Sequence, residues 1–496
     1  MTYPVYRNLI GGEWLPARSG KTILNLNPAD HADVVGAFPS SSAEDVALAV
    51  AAAKKAYTTW RLVPAPKRAE ILMRAGLLLQ ERKEQYARDM TREMGKVLAE
   101  TRGDVQEAID EAFYVAGEGR RLFGVTTPSE LQNKFAMSVR MPLGVVGLIT
   151  PWNFPMAIPS WKLFPALVAG NTCVIKPATD TPLSTYNLVQ TLVDAGLPAG
   201  VVNLVSGSGS ATGTPLVEHP DVRAISFTGS SEVGSLVGQR AAATFKPVSL
   251  EMGGKNAQIV LNDANLDLAL DGALWGAFGT TGQRCTATSR ILLQKGIAQK
   301  FTTEFVTRAR ALKVGNGLDE SVEVGPQVNA GQIETSKKYV EIALAEGAKL
   351  LTGGHALTEG AYSKGTFFEP TVLGGVTPTM RIAREEVFGP VVSLIEFESF
   401  EQGLEIANSI DYGLSTALYT KDVNRAFAAI RDLEAGITYI NAPTIGAEVH
   451  LPFGGVKQTG NGHREGLGAI EFFTTWKAVY VDYSDKLQRA QIDNAE

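Results

Sequence analysis

The chain has 496 residues, of which 45% are apolar and 20% charged, and a net charge of -6. This composition is typical of a soluble globular protein, and the chain is too long to fold around one ordinary core. The mildly negative net charge gives no reason to propose nucleic acid or an anionic membrane surface as a partner. The two cysteines argue against a disulfide framework and predict a cytoplasmic protein. Five scattered histidines predict no metal site, and we expect neither a signal peptide nor a membrane span.

The first half of the chain predicts helices followed by alternating strands and helices. Short strands and turns precede Ser41-x-x-Glu44, a capping-box pattern that predicts the start of a helical region reaching about Gly119. Strands are then predicted at 136–150, 173–175, 201–205 and 224–227, with a helix at 182–195. Strands and helices that alternate at this spacing predict βαβ units and a parallel sheet.

The second half predicts another α/β domain. A strand at 248–251 is followed by a helix at 265–279, by helices near 297–312, 330–346 and 422–434, and by strands near 391–397, 416–420 and 437–441. The apolar run 476–483 predicts a lone strand, which needs a neighbour. It pairs either within the chain or with another subunit, and we favour another subunit.

The sequence Gly282-Gln283-Arg284-Cys285-Thr286 contains a candidate nucleophile. The thiol lies between a Gly-rich run and the apolar run 290–293, where a ligand can reach it. A thiolate is the strongest nucleophile among ordinary side chains. The alternative is a small buried apolar residue, which is what most free cysteines are.

Two further residue types suit the same chemistry. Glu251 ends a predicted strand beside Gly253-Gly254, where its carboxylate could activate water; the alternative is a surface Glu. Asn153 lies in a turn bracketed by Pro151 and Pro155, where its amide could hold an oxyanion; the alternative is a helix N-cap.

A dinucleotide site is indicated by Gly229-Ser230-x-x-x-Gly234, which follows a strand and opens a helix. Such a turn can bind a pyrophosphate, although the pattern is not GxGxxG and an ordinary strand–helix turn would look alike. Lys176-Pro177 follows a buried strand, where Lys176 could contact a ribose or phosphate group of the cofactor. The alternative is an ordinary solvated lysine at the end of a strand.

Together these pieces closely resemble the NAD(P)-dependent aldehyde dehydrogenase superfamily, over about residues 8–484. The matching motifs, in order, are Pro151-Trp152-Asn153-Phe154-Pro155, Lys176-Pro177, Phe227-Thr228-Gly229-Ser230, Glu251-Met252-Gly253-Gly254-Lys255, Gly282-Gln283-Arg284-Cys285, Glu386-Val387-Phe388-Gly389-Pro390 and Pro452-Phe453-Gly454-Gly455-Val456-Lys457. The resemblance implies an α/β fold with a Rossmann-type parallel-sheet cofactor domain (1–118 and 142–250), an α/β catalytic domain (251–454) and a small β bridging or oligomerisation segment (119–141 and 472–496).

The resemblance also implies roles for individual residues. Cys285 would attack the aldehyde, Asn153 would hold the oxyanion with the Cys285 backbone N–H, and Glu251 would activate the water that hydrolyses the thioester. Glu465 matches a second carboxylate sometimes assigned to proton relay, and Lys162 matches a lysine packed near the active site. The residues implied in binding the cofactor, NAD or NADP, are Thr150, Pro151, Trp152, Lys176, Thr179, Phe227, Thr228, Gly229, Ser230, Gly253, Glu386 and Phe388.

Two positions depart from the family pattern. The family often has Lys-Pro-x-Glu, whose Glu binds both adenine-ribose hydroxyls and repels a 2′-phosphate, whereas this chain has Thr179. We therefore expect either NAD or NADP to serve, with no firm preference. Met252 replaces the usual Leu, a volume-conserving change that we expect to be silent.

The substrate is predicted to be a small semialdehyde such as 2,5-dioxopentanoate, with aminoadipate semialdehyde or a simple aldehyde as alternatives. Candidate substrate contacts are Phe154, Trp161, Arg284, Thr286 and His450. Arg284 could meet a substrate carboxylate or form a structural ion pair, and His450 and His463 are interpreted as loop residues rather than catalysts. Two alternatives to the hydrolytic activity are considered. The chain could be a CoA-acylating member of the superfamily, which commonly lacks Glu at position 251, or a non-catalytic protein with the same fold. A homodimer or homotetramer is expected.

Overall fold

The computed structural model describes residues 3–462 and 465–493, so His463 lies outside the described residues. The strands are β1 (Asn8–Ile10), β2 (Glu13–Leu15), β3 (Thr22–Asn27), β4 (Asp30–Pro39), β5 (Val125–Pro128), β6 (Lys134–Pro142), β7 (Val145–Ile149), β8 (Thr172–Lys176), β9 (Val202–Leu204), β10 (Val222–Thr228), β11 (Val248–Glu251), β12 (Asn256–Val260), β13 (Thr288–Gln294), β14 (Lys349–Thr352), β15 (Ala356–Leu357), β16 (Phe367–Phe368), β17 (Thr371–Gly374), β18 (Val391–Phe397), β19 (Tyr412–Gly413), β20 (Ser415–Tyr419), β21 (Ile437–Ile440), β22 (Val456–Lys457) and β23 (Thr474–Asp482).

The helices include the predicted ones, at closely similar positions, and three short helices that were not predicted, which are α11 (Arg381–Arg384), α12 (Phe400–Asn408) and α14 (Ala469–Phe472). In chain order, the helices are α1 (Ala43–Trp60), α2 (Ala65–Met94), α3 (Leu98–Glu118), α4 (Ala157–Ala169), α5 (Pro182–Asp194), α6 (Thr214–Glu218), α7 (Ser231–Ala242), α8 (Leu266–Phe278), α9 (Lys295–Ala311), α10 (Ala330–Ala345), α11 (Arg381–Arg384), α12 (Phe400–Asn408), α13 (Val423–Asp432) and α14 (Ala469–Phe472). Within the described part of the chain, none of them is both long and apolar enough to cross a membrane.

The first large sheet brings strand ends together at one edge. Its order is β11-β10-β7-β8-β9-β1-β2, and the strands from β11 to β9 are parallel. Strands β7 and β8 are buried along their whole length, as expected for a parallel sheet covered on both faces. In register, Thr228 pairs with Glu251, and Ile149 pairs with Lys176. The carboxyl ends of the parallel strands therefore present predicted site residues at the edge where such sheets bind ligands.

The second large sheet has the order β14-β17-β18-β13-β12-β20-β21, and all its neighbours except β14 and β17 are parallel. Strand β12 is fully buried, and its side chains pack into two apolar clusters on opposite faces, one containing Ile259 and the other Val260. The two large sheets confirm the predicted pair of α/β units, while the exact domain boundaries stay a prediction.

A three-stranded sheet corrects the prediction for the C-terminal strand. Strand β23 pairs antiparallel with β6 from Thr474↔Pro142 to Asp482↔Lys134, and β6 pairs with β5. The favoured prediction, that this strand needs another subunit as its pairing neighbour, is wrong. Its partner is distant in sequence, and period-2 alternation identifies a strand without indicating which strand it pairs with. Because β23 is at the edge of the sheet, its second edge carries no strand of the described chain.

The first helix starts one residue later than predicted. Ser42 is the N-cap of α1, and the capping box pairs Ser42 with Asp45 rather than Ser41 with Glu44. Ser41 is used elsewhere, since its hydroxyl accepts a hydrogen bond from Asn8 Nδ2 at 2.8 Å. A tertiary hydrogen bond thus decides between two adjacent serines that local sequence cannot distinguish.

Candidate active site

A strained turn precedes the candidate nucleophile, Cys285. After α8, residues Gly279–Gly282 form one 3₁₀ turn in which Thr280 and Thr281 have φ of 53° and 57°. Non-glycine residues adopt this left-handed region only at a cost. Glu100 on α3 holds the turn, because both its carboxyl oxygens accept the Thr280 N–H, at 2.7 and 2.9 Å. The turn therefore depends on a contact across 180 residues of sequence.

The backbone on either side of the cysteine is held by side chains that sequence reasoning missed. Asn256 Nδ2 donates to the Cys285 carbonyl at 2.7 Å and to the Ala287 carbonyl at 2.9 Å. Thr444 Oγ1 donates to the Thr286 carbonyl at 2.6 Å. Asn256 directly follows Gly253-Gly254-Lys255, so its place in that motif was an available signal.

Cys285 lies where two cavities meet. The larger cavity, of about 360 Å³, contains Glu251 and Glu465, and the smaller, of about 180 Å³, contains Asn153 and Glu386. The residues that line both are Ile158, Thr228, Met252 and Cys285. A thiol at such a junction can contact one ligand from each side, which is the arrangement that a two-substrate reaction needs.

The surroundings of Cys285 keep its thiol protonated. Burial, together with the negative charges of Glu386, Glu251 and Glu465, raises the pKa of Cys285 to about 12. The thiolate must therefore be generated by a nearby base or stabilised by a bound positive charge. Cys173, the other free cysteine, is fully buried in β8, and burial raises the pKa of its thiol well above the ordinary value. Cys173 therefore behaves as a small buried apolar residue, which is the alternative that was considered for Cys285.

The candidate base and oxyanion donor are buried. Glu251 is 3% exposed, and the segment after it is held by a Met252 N–H hydrogen bond to the Thr459 carbonyl at 2.7 Å. This burial excludes the surface alternative for Glu251. Asn153 is also 3% exposed, and α4 begins at Ala157 with Met156 as its N-cap, which excludes the capping alternative.

Glu465 belongs to a buried polar chain. Its Oε1 atom pairs with Nζ of Lys162, and Lys162 Nζ also donates to Ser226 Oγ at 2.8 Å. Lys162 is fully buried and lies on α4, whereas Ser226 lies on β10. The lysine thus fixes a carboxyl group at the wall of the larger cavity.

The far wall of the larger cavity carries opposite charges. Arg284 Nη2 donates to Glu100 Oε1 at 3.0 Å, and the guanidinium lies 5.3 Å from the Phe154 ring centroid and 5.9 Å from that of Trp275. The predicted residues Phe154, Trp161, Arg284 and Thr286 all line this cavity. Helix α3 adds Glu100, Asp104 and Glu107, which sequence reasoning missed because helical periodicity does not show which distant cavity a charged position of a helix faces. His450 does not line the cavity, and its side chain is 56% exposed beside Glu448.

Glu386 supplies a carboxyl group to the wall of the smaller cavity. The Gly254 N–H donates to Glu386 Oε1 at 2.9 Å, and a Cβ atom on Gly253 would lie 1.9 Å from Glu386 Oε2. Glycine at 253 is therefore what lets the carboxyl group reach this position. Burial raises the pKa of Glu386 to about 7. Phe388, with φ of 56°, packs edge-on against Trp152 at 5.1 Å between ring centroids.

Most predicted cofactor residues meet in the smaller cavity, and four do not. Pro151, Trp152, Thr228, Gly229, Ser230, Gly253, Glu386 and Phe388 line it, at the N-terminus of α7. Phe227 lies in the core beneath the turn, where a Cβ on Gly229 would come within 2.6 Å of its ring. Thr150, Lys176 and Thr179 lie at or near the ends of β7 and β8; Lys176 Nζ donates to the Pro177 carbonyl at 2.6 Å, and burial lowers its pKa to about 8.

Comparison with known proteins identifies the family. The family model described as "Aldehyde dehydrogenase family" matches residues 14–479. The chain belongs to the aldehyde dehydrogenase family. It is 44% identical over 477 residues to alpha-ketoglutaric semialdehyde dehydrogenase of Bacillus subtilis, covering 96% of this chain and 98% of that protein. It is 41% identical to 2,5-dioxopentanoate dehydrogenase of Saccharolobus solfataricus, covering 95% and 98% of the two chains.

A solved structure of the same family confirms the fold. Betaine aldehyde dehydrogenase from Staphylococcus aureus, in complex with NAD+, superposes with a TM-score of 0.95 at 34% identity, covering 97% of this chain and 96% of that one. The predicted resemblance and the aldehyde dehydrogenase fold class are confirmed. The prediction of a nicotinamide dinucleotide is confirmed at the level of the family, and the choice between NAD and NADP stays open.

Proposed function

We propose that this aldehyde dehydrogenase oxidises a small semialdehyde, such as 2,5-dioxopentanoate, to the carboxylic acid with NAD or NADP. The observation that carries the proposal is the position of Cys285 at the junction of two cavities, each containing a buried carboxyl group. Relatives at 44% and 41% identity are named for the same semialdehyde chemistry, which supports the substrate class.

Cys285 and its neighbours perform the first step. Because the pKa of the thiol is raised to about 12, Glu251 takes its proton as the sulfur bonds to the aldehyde carbon. The carbonyl π electrons move to oxygen, and the resulting oxyanion accepts hydrogen bonds from the Asn153 amide and the Cys285 backbone N–H. The product is a thiohemiacetal on Cys285, held against the smaller cavity.

The smaller cavity fits a nicotinamide dinucleotide. The N-terminus of α7 suits a pyrophosphate, and the cleft that glycine at 253 leaves for Glu386 places a carboxyl acceptor where ribose hydroxyls can donate. When bound, the dinucleotide supplies the hydride acceptor. Trp152 and Phe388 pack at this wall, and together with Ile158 and Met252 they limit the access of water to the thiol.

Release of the acid uses Glu251 again. Once Glu251 has released the thiol proton to solvent, its carboxylate takes a proton from a water molecule whose oxygen bonds to the thioester carbon. The carbon–sulfur bond then breaks, the electron pair returns to Cys285, and the thiolate takes up a proton to restore the thiol. A CoA-acylating enzyme does not need this base, so the buried Glu251 at the cavity supports the hydrolytic reaction. The presence of Cys285, Asn153 and Glu251 at one site also argues against a non-catalytic relative.

The carboxylate end of the substrate is assigned to Arg284. It is a cation on the wall of the larger cavity, and it is already paired with Glu100, so an anionic substrate must compete with or add to that pair. Aminoadipate semialdehyde carries both charges and stays an alternative, as does a simple aldehyde, for which Phe154 and Trp161 supply apolar contacts.

The proposed function is tested by reduced-cofactor formation with a panel of aldehydes and semialdehydes. NAD and NADP are each supplied without CoA, beside a Cys285→Ala control. We expect turnover without CoA, highest with a semialdehyde, and none in the control. Product that appears only when CoA is added would contradict the role of Glu251.

We also propose a cytoplasmic homodimer or homotetramer. Both cysteines are unpaired, which fits a reducing compartment. The open edge of β23 and its exposed Trp476 and Tyr480 supply a surface for a second copy. Light scattering coupled to size-exclusion chromatography measures the oligomeric state. A monomer at micromolar concentration would contradict the proposed homodimer or homotetramer.

A further inference from the structure

One carboxyl group beside the active site has no part in the mechanism above. Glu111 on α3 is fully buried, and in the described part of the chain neither of its carboxyl oxygens has a hydrogen-bond partner. Burial, with the charges of Glu107 and Glu465, raises its pKa well above the ordinary value. An unpaired acid in the core destabilises a fold, so its presence calls for a functional reason.

The position of Glu111 places it behind the wall of the larger cavity. Glu107 precedes it by one helical turn, a spacing at which Cβ atoms are about 6 Å apart, and Glu107 lines the cavity. Glu465 lines the same cavity and is paired with Lys162. Glu111 does not line it, yet interacts electrostatically with both carboxyl groups. Tyr114, on the same helix, also interacts electrostatically with Glu111.

Protons must leave this site while it is full. Oxidation of an aldehyde to a carboxylate by this route releases two protons per cycle. The Cys285 thiol loses its proton first and regains one at the end, so both released protons come from the attacking water. The substrate occupies the larger cavity during the reaction and displaces the water that could otherwise carry protons. A relay through carboxyl groups behind the wall would not depend on the water that the substrate displaces.

We propose that Glu111 relays protons from Glu465 to Glu107, behind the substrate, through water molecules that bridge the three carboxyl groups. Each carboxyl group accepts a proton on one oxygen and releases one from the other, so no group changes its net charge over a cycle. Glu107, whose pKa burial and Asp104 raise to about 8, can release the proton to water towards the cavity mouth. The relay rests on the proposed hydrolytic reaction.

The test replaces Glu111 with Gln, which keeps the shape and cannot relay a proton. We expect kcat of the Glu111→Gln variant to fall about tenfold or more, with a larger solvent isotope effect on kcat and an unchanged KM. Glu93→Gln is the matched control. Glu93 is also buried, but its oxygens accept the Leu183 and Ser184 N–H groups, each at 2.8 Å, so its loss should lower Tm without changing kcat or the isotope effect.

A second measurement needs no turnover. Because the folded pKa of Glu111 is above its unfolded value of about 4.5, wild-type stability falls as pH rises above that value, and Glu111→Gln should remove this slope. The Tm difference, variant minus wild type, should therefore grow between pH 5 and pH 8. A protonated-carboxyl infrared band at pH 7 should also disappear in the variant.

The outcomes separate the two proposals. An active wild-type enzyme with unchanged kcat and isotope effect in Glu111→Gln overturns the relay and leaves the proposed function standing. A wild-type enzyme that oxidises no aldehyde overturns the proposed function, and the relay with it. A flat Tm difference between pH 5 and pH 8 overturns the protonated state on which the relay depends.

Discussion

Arg284, directly before the proposed nucleophile Cys285, donates from Nη2 to Glu100 Oε1 at 3.0 Å, and the same carboxyl group accepts the Thr280 N–H. One helix residue thus neutralises the candidate substrate-binding cation and holds the strained turn. This pair makes the two interpretations of Arg284 testable, because a structural ion pair and a substrate contact respond differently when Glu100 loses its charge.

Glu100→Gln should separate these interpretations. We expect the variant to lose about 1–3 kcal/mol of stability, because both side chains are about 12% exposed or less. If Arg284 binds the substrate carboxylate, KM for an anionic semialdehyde should fall while KM for a neutral aldehyde stays unchanged. Equal effects on both aldehydes would assign Arg284 to the structure alone. Asp267→Asn, which breaks an exposed pair with Arg308, is the control and should cost less than about 1 kcal/mol.

The thiol should react slowly with alkylating agents in the absence of ligands. Because the pKa of Cys285 is raised to about 12, first by burial and then by Glu386, Glu251 and Glu465, the rate of alkylation by iodoacetamide should rise throughout pH 7 to 10 without a plateau. Glu251→Gln removes one negative charge and should make alkylation faster at a given pH. Mass spectrometry of Cys285→Ala corrects for Cys173. A plateau below pH 9 would show that the thiolate is already stabilised.

Cofactor affinity should weaken in acid. Burial raises the pKa of Glu386 to about 7, so the carboxylate is lost as pH falls below that value, and with it an acceptor for ribose hydroxyls. We expect the Kd of the dinucleotide to increase up to about tenfold from pH 8 to pH 6. Quenching of tryptophan fluorescence measures it, since Trp152 lines the same cavity. Glu386→Gln should bind weakly at both pH values, and a steep pH dependence in that variant would assign the titration to another group.

Thr179 should decide the preference between the two dinucleotides. It is exposed after β8, and its Oγ1 donates to the Gly207 carbonyl at 3.3 Å. A carboxylate there repels a 2′-phosphate, so Thr179→Glu should raise the Kd of NADP relative to that of NAD by about tenfold. Thr179→Gln adds similar bulk without charge and should leave the ratio within about twofold. An unchanged ratio in the Glu variant would place the 2′-position elsewhere.

The sequence predicted the parallel strands and the chemistry at their ends, because buried strands and glycine turns are local signals. Val391–Phe397 matches the predicted strand residue for residue. What local signals could not supply is which distant segments meet. Glu100 and Glu107 fit an ordinary amphipathic helix, and only the fold brings them to Cys285. The neighbour of β23 and the choice of Ser42 over Ser41 were likewise decided by tertiary contacts.

The raised pKa of Cys285 has a consequence for the life of the polypeptide before it folds. In an unfolded chain this thiol has an ordinary pKa near 9, so it ionises more readily than in the finished protein. Folding therefore protects the residue that we propose as the nucleophile. The protection comes first from burial and then from charges that include Glu386 and Glu465, which a ribosome adds after Cys285 has been made. A growing chain is thus more exposed to oxidants and electrophiles at this position than the mature enzyme, and refolding should depend more strongly on a reducing agent than storage does.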